Sequence, residues 1–422
     1  MLTAIVGVNW GDEGKGRMVD LLSEDYDVVC RYQGGNNAGH TVVNNRGKFI
    51  LNLLPSGILR EGVVNVMGPG MVIDIEHLNL ELRQLAVLGA GPGKDGLVIS
   101  DRATICMPYD KLQDGLEEDR LADRKFGSTR RGIAPVYADK YMKKALRMGD
   151  LLHPEGLKER LRDIVEWKNL TLRSYGAEAD SGEMYDWLMK HGEALLPRIK
   201  DTTEYLHDAI EKRGANVMFE AQLGALRDID FGIYPYTSSS TTLAAYAPIG
   251  AGVPAHRLDC VVGIMKAYSS CVGEGPFTCE FFGEEAERLR ALGGEYGAAT
   301  GRPRRVGGFD VVASRYGVRV QGATELALTK LDVLSGYGDI PVCTHYEVDG
   351  KITDSFPSGG ALERAKPVYE YLPGFEGDIS GCREFSELPE AARDYVKFCE
   401  DAVGCRIKYV SVGAGREQII VR

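Results

Sequence analysis

The length, composition and charge of the chain exclude several classes of protein. Its 422 residues suffice for two or three average domains or for one large domain with insertions. The formal net charge of −11 argues against a general binder of nucleic acids or anionic membranes. No apolar run approaches the roughly 20 residues needed to span a bilayer, and the first residues lack the basic stretch of a signal peptide. The nine cysteines are dispersed without a C-x-x-C pair, which favours a reducing cytosol over a disulfide framework or a zinc site.

The first predicted element is a short buried strand. The apolar run from Leu2 to Val8 is typical of a strand in a parallel sheet. Met18, Leu21 and Leu22 follow at helical spacing and predict a helix. The residues between, N-W-G-D-E-G-K-G-R (9–17), therefore predict a glycine-rich turn from strand to helix. Such a turn points backbone N–H groups and a helix N-terminus at one spot, which suits an anion such as phosphate.

This predicted phosphate loop differs from the usual G-x-x-x-x-G-K-[ST] loop, whose hydroxyl binds magnesium. Six residues separate Gly7 from Gly14, and Gly16 stands where Ser or Thr is expected. Another group must therefore bind the metal, and Asp12 is the candidate oxygen donor. The alternative is a tight turn without a ligand. The charges of Asp12 and Lys15, crowded among glycines, argue against it because charges close to packed backbone need a partner.

A second polar cluster, Q-G-G-N-N-A-G-H-T (33–41), follows the predicted strand from Val28 to Tyr32. Amides, a histidine and a hydroxyl at the carboxyl end of a strand suit recognition of a polar ligand at a sheet edge. An asparagine-rich turn without a ligand is the alternative. His40 is the candidate functional histidine of the chain.

The remaining elements alternate between strands and helices. Further strands are predicted at 49–54, 63–67, 217–220, 258–265, 326–331, 340–348 and 407–412, and helices at 75–88, 154–167, 182–213 (with a possible restart at the N-cap Asp201) and 388–403. This alternation predicts an α/β fold with a large, mainly parallel central sheet and helices on both faces. We expect a single large α/β domain over 1–422, with a charged helical insertion at about 103–204.

Two later motifs suggest recognition of a nucleotide and of an anion. T-K-L-D (329–332) ends a predicted buried strand and is close to the N-K-x-D sequence with which GTP-binding switch proteins recognise guanine. An Asp carboxylate can accept from both N1–H and N2–H₂ of guanine, a donor pair that adenine lacks, and such a site can discriminate by about 10⁴ or more. G-R-P-R-R (301–305) concentrates three guanidinium groups, which bind carboxylates and phosphates bidentately. The alternative for this loop is a solvated turn.

Taken together, these blocks resemble the adenylosuccinate synthetase family, whose members join IMP and aspartate at the expense of GTP. The resemblance covers nearly the whole chain, and the motifs stand in the family's order: W-G-D-E-G-K-G, Y-Q-G-G-N-N-A-G-H-T, P-S-G-I-L, Y-P-Y-T-S-S, K-A-Y-S, G-P-F-T, T-G-R-P-R-R and T-K-L-D-V. It implies AMP biosynthesis with Mg²⁺ as cofactor, in a cytoplasmic homodimer that binds neither nucleic acid nor membrane.

The resemblance also implies a mechanism. The γ-phosphoryl group of GTP would move to O6 of IMP, and the amine of aspartate would displace phosphate from the resulting 6-phosphoryl-IMP. Asp12 would act as general base at N1 of IMP and as a magnesium ligand together with the Gly39 carbonyl. His40 would act as the acid, and Lys15 would assist at the phosphates.

Each substrate site is implied residue by residue. GTP would bind Gly11, Asp12, Glu13, Gly14, Lys15, Gly16, Arg17, Gly39, His40, Thr41, Arg304, Lys330, Leu331, Asp332, Ser411, Val412 and Gly413. IMP would bind Asp12, Glu13, Gly14, Lys15, Asn37, Ala38, Gly39, His40, Thr129, Lys143, Gln222, Leu223, Thr237, Ser238 and Arg302. Aspartate would bind the loop of Ala298, Ala299, Thr300, Gly301, Arg302, Pro303 and Arg304.

Three departures from the family pattern affect the IMP site. Lys143 stands where the partner subunit normally supplies an arginine, and lysine lacks the guanidinium fork. Leu223 stands where the family has glutamine, so Gln222 could serve only if the loop shifts. The stretch after Tyr236 is one residue short. An altered selectivity for a guanine-type nucleotide such as dGMP, as in the phage enzymes of aminoadenine synthesis, is therefore one alternative, although Asp12, which those enzymes lack, is present. A GTP-binding switch protein is the other, and it gives no reason for His40 or Arg302.

Overall fold

The computed structural model describes residues 1–37, 39–44, 47–93, 95–297, 301 and 303–422. Its strands are β1 Leu2–Gly7, β2 Val28–Arg31, β3 His40–Asn44, β4 Gly47–Leu51, β5 Val64–Met67, β6 Val72–Ile73, β7 Leu97–Ser100, β8 Thr104–Ile105, β9 Ile199–Lys200, β10 Val217–Glu220, β11 Cys260–Lys266, β12 Ser269–Cys271, β13 Arg305–Gly307, β14 Phe309–Asp310, β15 Glu325–Thr329, β16 Ile340–Val348, β17 Lys351–Thr353, β18 Lys366–Leu372, β19 Ile407–Ser411 and β20 Ile419–Val421.

Its helices are α1 Lys15–Leu22, α2 Ile75–Val87, α3 Pro108–Leu121, α4 Ile133–Tyr141, α5 Leu157–Leu172, α6 Ser181–Gly192, α7 Thr202–His207, α8 Ala247–Ala251, α9 Gly283–Gly293, α10 Val311–Gln321, α11 Gly360–Glu363 and α12 Glu390–Val403. None of the described helices has the length and apolar character to cross a membrane.

Ten described strands form one central sheet in the order β20-β19-β15-β11-β1-β10-β2-β5-β7-β9. The neighbours in this order pair in parallel, except that β20 pairs antiparallel with β19 at one edge. The predicted α/β fold with a mainly parallel sheet is therefore confirmed. The first strand of the chain lies in the middle of the sheet, so the loop that follows it opens at the centre of the carboxyl edge.

Helices cover both faces of this sheet. On β1, Ala4 and Val6 pack into a cluster that includes Leu206 of α7 and residues of α8. Ile5 between them faces the other way, against Met18 of α1. Because successive side chains of a strand point to opposite faces, a run that is apolar at every position is what burial on both faces requires.

The prediction of one continuous helix over 182–213 is wrong. Helix α6 ends at Gly192, and a 3₁₀ segment containing Pro197 leads into β9, which is the edge strand of the central sheet and pairs with β7. Proline removes a backbone donor and clashes with the preceding turn, so a continuous helix is disfavoured there. The predicted restart is correct, because the Asp201 side chain accepts from the N–H groups of Thr203 and Glu204 at the start of α7.

Two predicted strands lie outside the central sheet. The strand predicted at 49–54 is the shorter β4, which forms an antiparallel hairpin with β3. The strand predicted at 340–348 is β16, which pairs with β14, β17 and β18 in a second sheet. Local patterns do not distinguish these antiparallel pairs from the parallel sheet. The helices α3 to α6 fall within the predicted insertion at about 103–204, whose boundaries as a subdomain stay a prediction.

Candidate active site

Most of the candidate residues lie on loops at the carboxyl edge of the central sheet. These loops follow β1 (8–14), β2 (32–39), β10 (221–224), β15 (330) and β19 (412–418). Because parallel strands end at the same edge, residues far apart in sequence meet there.

The loop after β1 forms a cradle that holds an internal anion. The Glu13 carboxylate accepts from the N–H groups of Asn9 at 3.1 Å and Gly11 at 2.9 Å. Its second oxygen accepts from Lys15 Nζ at 2.7 Å, and both side chains are buried. The backbone of Gly11, Asp12 and Gly14 is left-handed, which glycine adopts without strain. The donors of the loop therefore converge on one anion, which in this structure is the carboxylate of Glu13.

His40 is held against this loop by a buried carboxylate. His40 Nδ1 lies 2.6 Å from Glu220 Oε1 at the end of β10. Ser56 donates to Glu220 from both its backbone N–H and its hydroxyl, each at 2.7 Å. Burial raises the pKa of Glu220. His40, Arg31 and Ser56 lower it by more, so the net pKa is below the ordinary value of a glutamate. Glu220 is thus anionic and fixes the imidazole ring through its contact with Nδ1.

His40 also lies beside the first turn of α1. A Cβ on Gly16 would lie 2.8 Å from the His40 Cβ. Only glycine allows this approach, so Gly16 replaces the usual Ser or Thr for a steric reason.

Asp12 points toward an arginine from the loop before β13. Arg304 Nε lies 3.0 Å from Asp12 Oδ2, and Arg304 Nη1 lies 2.8 Å from Glu295 Oε2. Glu295 is fully buried and also binds Lys266 Nζ at 2.8 Å. Burial raises the pKa of Glu295, but Lys266 and Arg304 lower it more, to about 2. This anion therefore orients Arg304 toward Asp12.

Asp332 has an oxygen free to accept from a ligand. It follows β15, and within the part of the chain that the structure describes its buried Oδ1 has no hydrogen-bond partner. Burial raises its pKa, although the charges of Lys330 and Arg17 oppose the rise. The donor pair of guanine would satisfy this carboxylate. Thr329 Oγ1 donates to the Glu13 carbonyl at 2.7 Å and ties this corner to the phosphate loop.

The loop after β19 is anchored on α1. The Arg17 guanidinium donates to Ser411 Oγ and to the carbonyl of Gly415, the latter at 2.6 Å. Arg416 forms an ion pair with Asp20 at 2.7 Å. The predicted GTP residues Ser411, Val412 and Gly413 therefore stand next to the phosphate loop.

The predicted IMP residues around β2 form a hydrogen-bonded chain. Gln222 Nε2 donates to Asn37 Oδ1 at 2.6 Å, and Gln222 Oε1 accepts from Arg31 and from the Gly35 N–H. Ser240 links Ser238 to this chain through Gln33. Leu223, with a left-handed φ of 63°, turns beside Gly11. Gln222 thus reaches Asn37 from one place earlier than the family's glutamine.

Within the described residues, three predicted IMP residues make none of the hydrogen bonds of this network. Thr129 is exposed between α3 and α4, Thr237 is half-buried, and Lys143 is exposed beyond the end of α4 with a φ of 63°. Several predicted residues lie outside the described part of the chain: Ala38, Ala298, Ala299, Thr300 and Arg302. The aspartate loop is consequently described only at Gly301 and Pro303 to Arg304. Thr41 lies in β3.

Sequence reasoning missed the residues that hold the site from behind: Glu220, Ser56, Glu295 and Lys266. Ser56 and Lys266 lie in the motifs P-S-G-I-L and K-A-Y-S, which marked them as part of the family pattern without indicating a role. The partners of these four residues lie up to 180 residues away, as for Glu220 and His40.

Oxygen donors that could bind a metal include the Asp12 carboxylate, whose side chain is 30% exposed at the mouth of the loop, and the exposed backbone of Gly39. Oxygen donors fit a hard cation. Fold and site together define an enzyme that binds a nucleotide and transfers a phosphoryl group.

Comparisons with known proteins identify the family. A model of the adenylosuccinate synthetase family matches residues 4–420. Adenylosuccinate synthetase 2 of Pseudoalteromonas translucida (strain TAC 125) is 47% identical over 422 residues, which cover 99% of each chain. The enzyme of Pelobacter propionicus is 44% identical over 421 residues, or 99% of this chain and 98% of the relative. The structure of fully ligated adenylosuccinate synthetase from Plasmodium falciparum has a TM-score of 0.93 at 35% identity and covers 100% of this chain and 99% of that one.

The chain belongs to the adenylosuccinate synthetase family. It is a GTP-dependent ligase that joins IMP and aspartate in purine biosynthesis, and the family uses a metal ion. A cyanophage S-2L succinoaminodeoxyadenylate synthetase, bound to dGMP and dATP, has a TM-score of 0.61 at 20% identity. That likeness concerns the fold alone, and the comparisons favour IMP over the dGMP alternative and over a switch protein.

Proposed function

We propose that Asp12, His40 and Lys15 are the catalytic residues of this ligase and that Mg²⁺ is its metal. One observation supports the assignment above the others: groups from three distant parts of the chain meet on the segment from Asp12 to Gly16. Arg304 pairs with Asp12, Thr329 bonds to Glu13, and His40 packs on Gly16. One small region would thus hold the phosphates of GTP and the purine that receives the phosphoryl group, with Asp332 close by to recognise guanine.

In the first step, Asp12 takes the N1 proton of IMP as O6 attacks the γ-phosphorus of GTP. The bond to the β-phosphate oxygen breaks, and GDP leaves. His40, held by Glu220 through Nδ1, presents its other ring nitrogen to the phosphates and donates to the charge that develops there. Lys15 and the loop N–H groups hold the phosphates, since positioning and charge stabilisation dominate phosphoryl transfer.

In the second step, the amine of aspartate attacks C6 of 6-phosphoryl-IMP, and inorganic phosphate leaves. Arg304 is available to orient a carboxylate or a phosphate once it leaves Asp12. Glu295 keeps the guanidinium in place throughout, because it binds Nη1 of Arg304, whereas Asp12 lies beside Nε.

Asp12 and the Gly39 carbonyl would hold Mg²⁺, which supplies charge neutralisation between the phosphates when bound. The Asp12 carboxylate pairs with Arg304 in this structure. Binding of the cation and substrates therefore exchanges one positive partner of Asp12 for another.

We further propose a cytoplasmic homodimer in which Lys143 of one subunit reaches the IMP site of the other. Lys143 lies next to Tyr141 and Met142, whose side chains are 75% and 59% exposed. Large apolar side chains exposed together are typical of an interface. Lys143 is itself exposed beyond the end of α4, a position from which it could reach the IMP site of a second subunit.

The test is a reaction with Mg²⁺, GTP and aspartate plus either IMP or dGMP, followed by the ultraviolet change of the purine. We expect turnover with IMP that requires all components, and little with dGMP. Asp12→Asn should abolish turnover while the variant stays folded, with Asp401→Asn, which changes an exposed acidic residue of α12, as the matched control. Near-normal activity of Asp12→Asn would remove Asp12 from the mechanism.

A further inference from the structure

Two histidines and a glutamate converge on the surface of the protein, away from the active site. His207 Nδ1 lies 3.2 Å from His256 Nε2. Glu211 Oε1 lies 3.5 Å from His207 Nδ1 and 3.4 Å from His256 Nε2. Of the residues described, these are the ones whose His, Cys, Asp and Glu ligand atoms come close enough together to hold a metal ion.

The topology of the sheet explains why these residues meet. His207 ends α7, and Glu211 lies in the π-helical turn Asp208–Lys212 that follows, shortly before β10 begins. His256 lies shortly before β11 begins. Because β10 and β11 flank β1 in parallel, their starts lie about 10 Å apart at one edge. This is the amino edge, whereas the active site lies at the carboxyl edge.

The three distances match the ligand shell of a tetrahedral cation. Zinc binds imidazole nitrogen and carboxylate oxygen at about 2.0–2.2 Å. In a tetrahedron with bonds of that length, neighbouring ligand atoms lie about 3.3–3.6 Å apart, close to the three observed separations. Hydrogen bonds of this kind are shorter, about 2.7–3.2 Å, so the two contacts of Glu211 are too long for good hydrogen bonds. A triangle of nearly equal sides suits one shared cation better than a chain of hydrogen bonds.

The local structure supports the same reading. The i, i+4 spacing of His207 and Glu211 places both on one side of the helix, and π-helical turns occur often at functional sites. The nearby cation Lys212 is paired with Asp208 at 2.6 Å instead of with Glu211. His256 and His207 are 18% and 30% exposed, so an ion can enter from solvent and keep water at its fourth position.

We propose that His207, Glu211 and His256 form a binding site for one divalent cation of the zinc class. Two neutral imidazoles and one carboxylate are a donor set that Zn²⁺ and Co²⁺ accept well, whereas Mg²⁺ prefers oxygen donors alone. The bound ion connects the end of α7 to the segment before β11. It stabilises the amino edge of the sheet and takes no part in the ligase reaction.

The full chain, freed of metal by dialysis against a chelator, is titrated with ZnCl₂ in excess Mg²⁺, which occupies oxygen-only sites. Binding is followed by calorimetry, and Co²⁺ is then used in place of Zn²⁺ as a spectroscopic probe. We expect one equivalent of tight binding, a visible spectrum of four-coordinate Co²⁺ without thiolate charge-transfer bands, and a Tm that rises with Zn²⁺.

The variants His256→Ala and Glu211→Gln separate this site from others. We expect His256→Ala to lose the tight equivalent and the rise in Tm, and Glu211→Gln to weaken binding. His153→Ala, which changes an exposed histidine elsewhere, should behave as the wild type. Ligase activity with Mg²⁺ should be unchanged in all three, which also shows that they are folded. Zinc binding that persists in both cluster variants, or Co²⁺ spectra with thiolate bands, would overturn the proposal.

Discussion

Substitution of Glu295 by glutamine offers a direct test of how the active site is held together. Glu295 is fully buried and binds both Lys266 and Arg304 at 2.8 Å. Burial raises the pKa of its carboxyl, but the two cations lower it more, from an ordinary 4.5 to about 2. Because the pKa is depressed in the folded state, the stabilisation is complete above pH 4.5 and is lost as the pH falls toward 2.

The expected magnitude follows from this pKa. At about 1.36 kcal/mol per pH unit, the difference between 4.5 and about 2 corresponds to about 3 kcal/mol at neutral pH. About 1.4 kcal/mol of it should be lost by pH 3.5, one unit below the unfolded value. The variant lacks this titration. At neutral pH its free energy of unfolding should be lower by about 3–5 kcal/mol, because Lys266 remains buried without its anion and Arg304 keeps only Asp12.

The measurement is urea unfolding of both proteins between pH 7 and pH 3.5, at one protein concentration because subunit association shifts stability. The difference in the free energy of unfolding should shrink by about 1.4 kcal/mol over this range. Glu325→Gln is the control, because Glu325 pairs with the partly exposed Lys408 at 3.0 Å and should change stability by at most about 1 kcal/mol. A difference for Glu295→Gln that stays constant with pH would refute the reasoning.

Three further predictions concern the substrates. Glu220→Gln should lower kcat about 100-fold with little change in KM, because the anion that orients His40 is lost; Ser56→Ala should be milder, and equal effects would contradict the assignment. Asp332→Asn should raise the KM for GTP about 10-fold or more without harming IMP, and an unchanged KM for GTP would argue against guanine recognition. Lys143→Ala should raise the KM for IMP while the KM for GTP stays the same; a parallel rise in both would place Lys143 elsewhere.

The glycine-rich turn after β1 and the central sheet could be predicted because their signals are local. Leu2 to Val8 and the glycines after it define a strand and a turn within one stretch of sequence. The carboxylates Glu220 and Glu295 could not be predicted in the same way. The role of each carboxylate is evident only from the side chains that it binds, and those side chains come from other strands and loops.

Gln222 shows how the sequence register alone can mislead. Aligned by sequence, Leu223 stands in the place of the family's glutamine, and Gln222 could serve only after a shift of the loop. In the structure Gln222 is buried and reaches Asn37 at 2.6 Å, while Leu223 takes the left-handed conformation. A left-handed residue changes the direction of the chain, so neighbouring positions need not point as the alignment implies.

The charges of the site are paired internally before any substrate is bound. Lys15 has Glu13, Arg304 has Asp12 and Glu295, and these pairs are wholly or largely buried. An unpaired buried charge would be costly, whereas an exchange of partners keeps every charge compensated. Substrate phosphates and carboxylates can thus replace Glu13 and Asp12 as the anions beside Lys15 and Arg304. If Arg304 keeps Glu295 when substrates bind, its position stays fixed while its second partner changes. Under the proposed mechanism, the release of Asp12 would then be coupled to the arrival of the groups on which it acts.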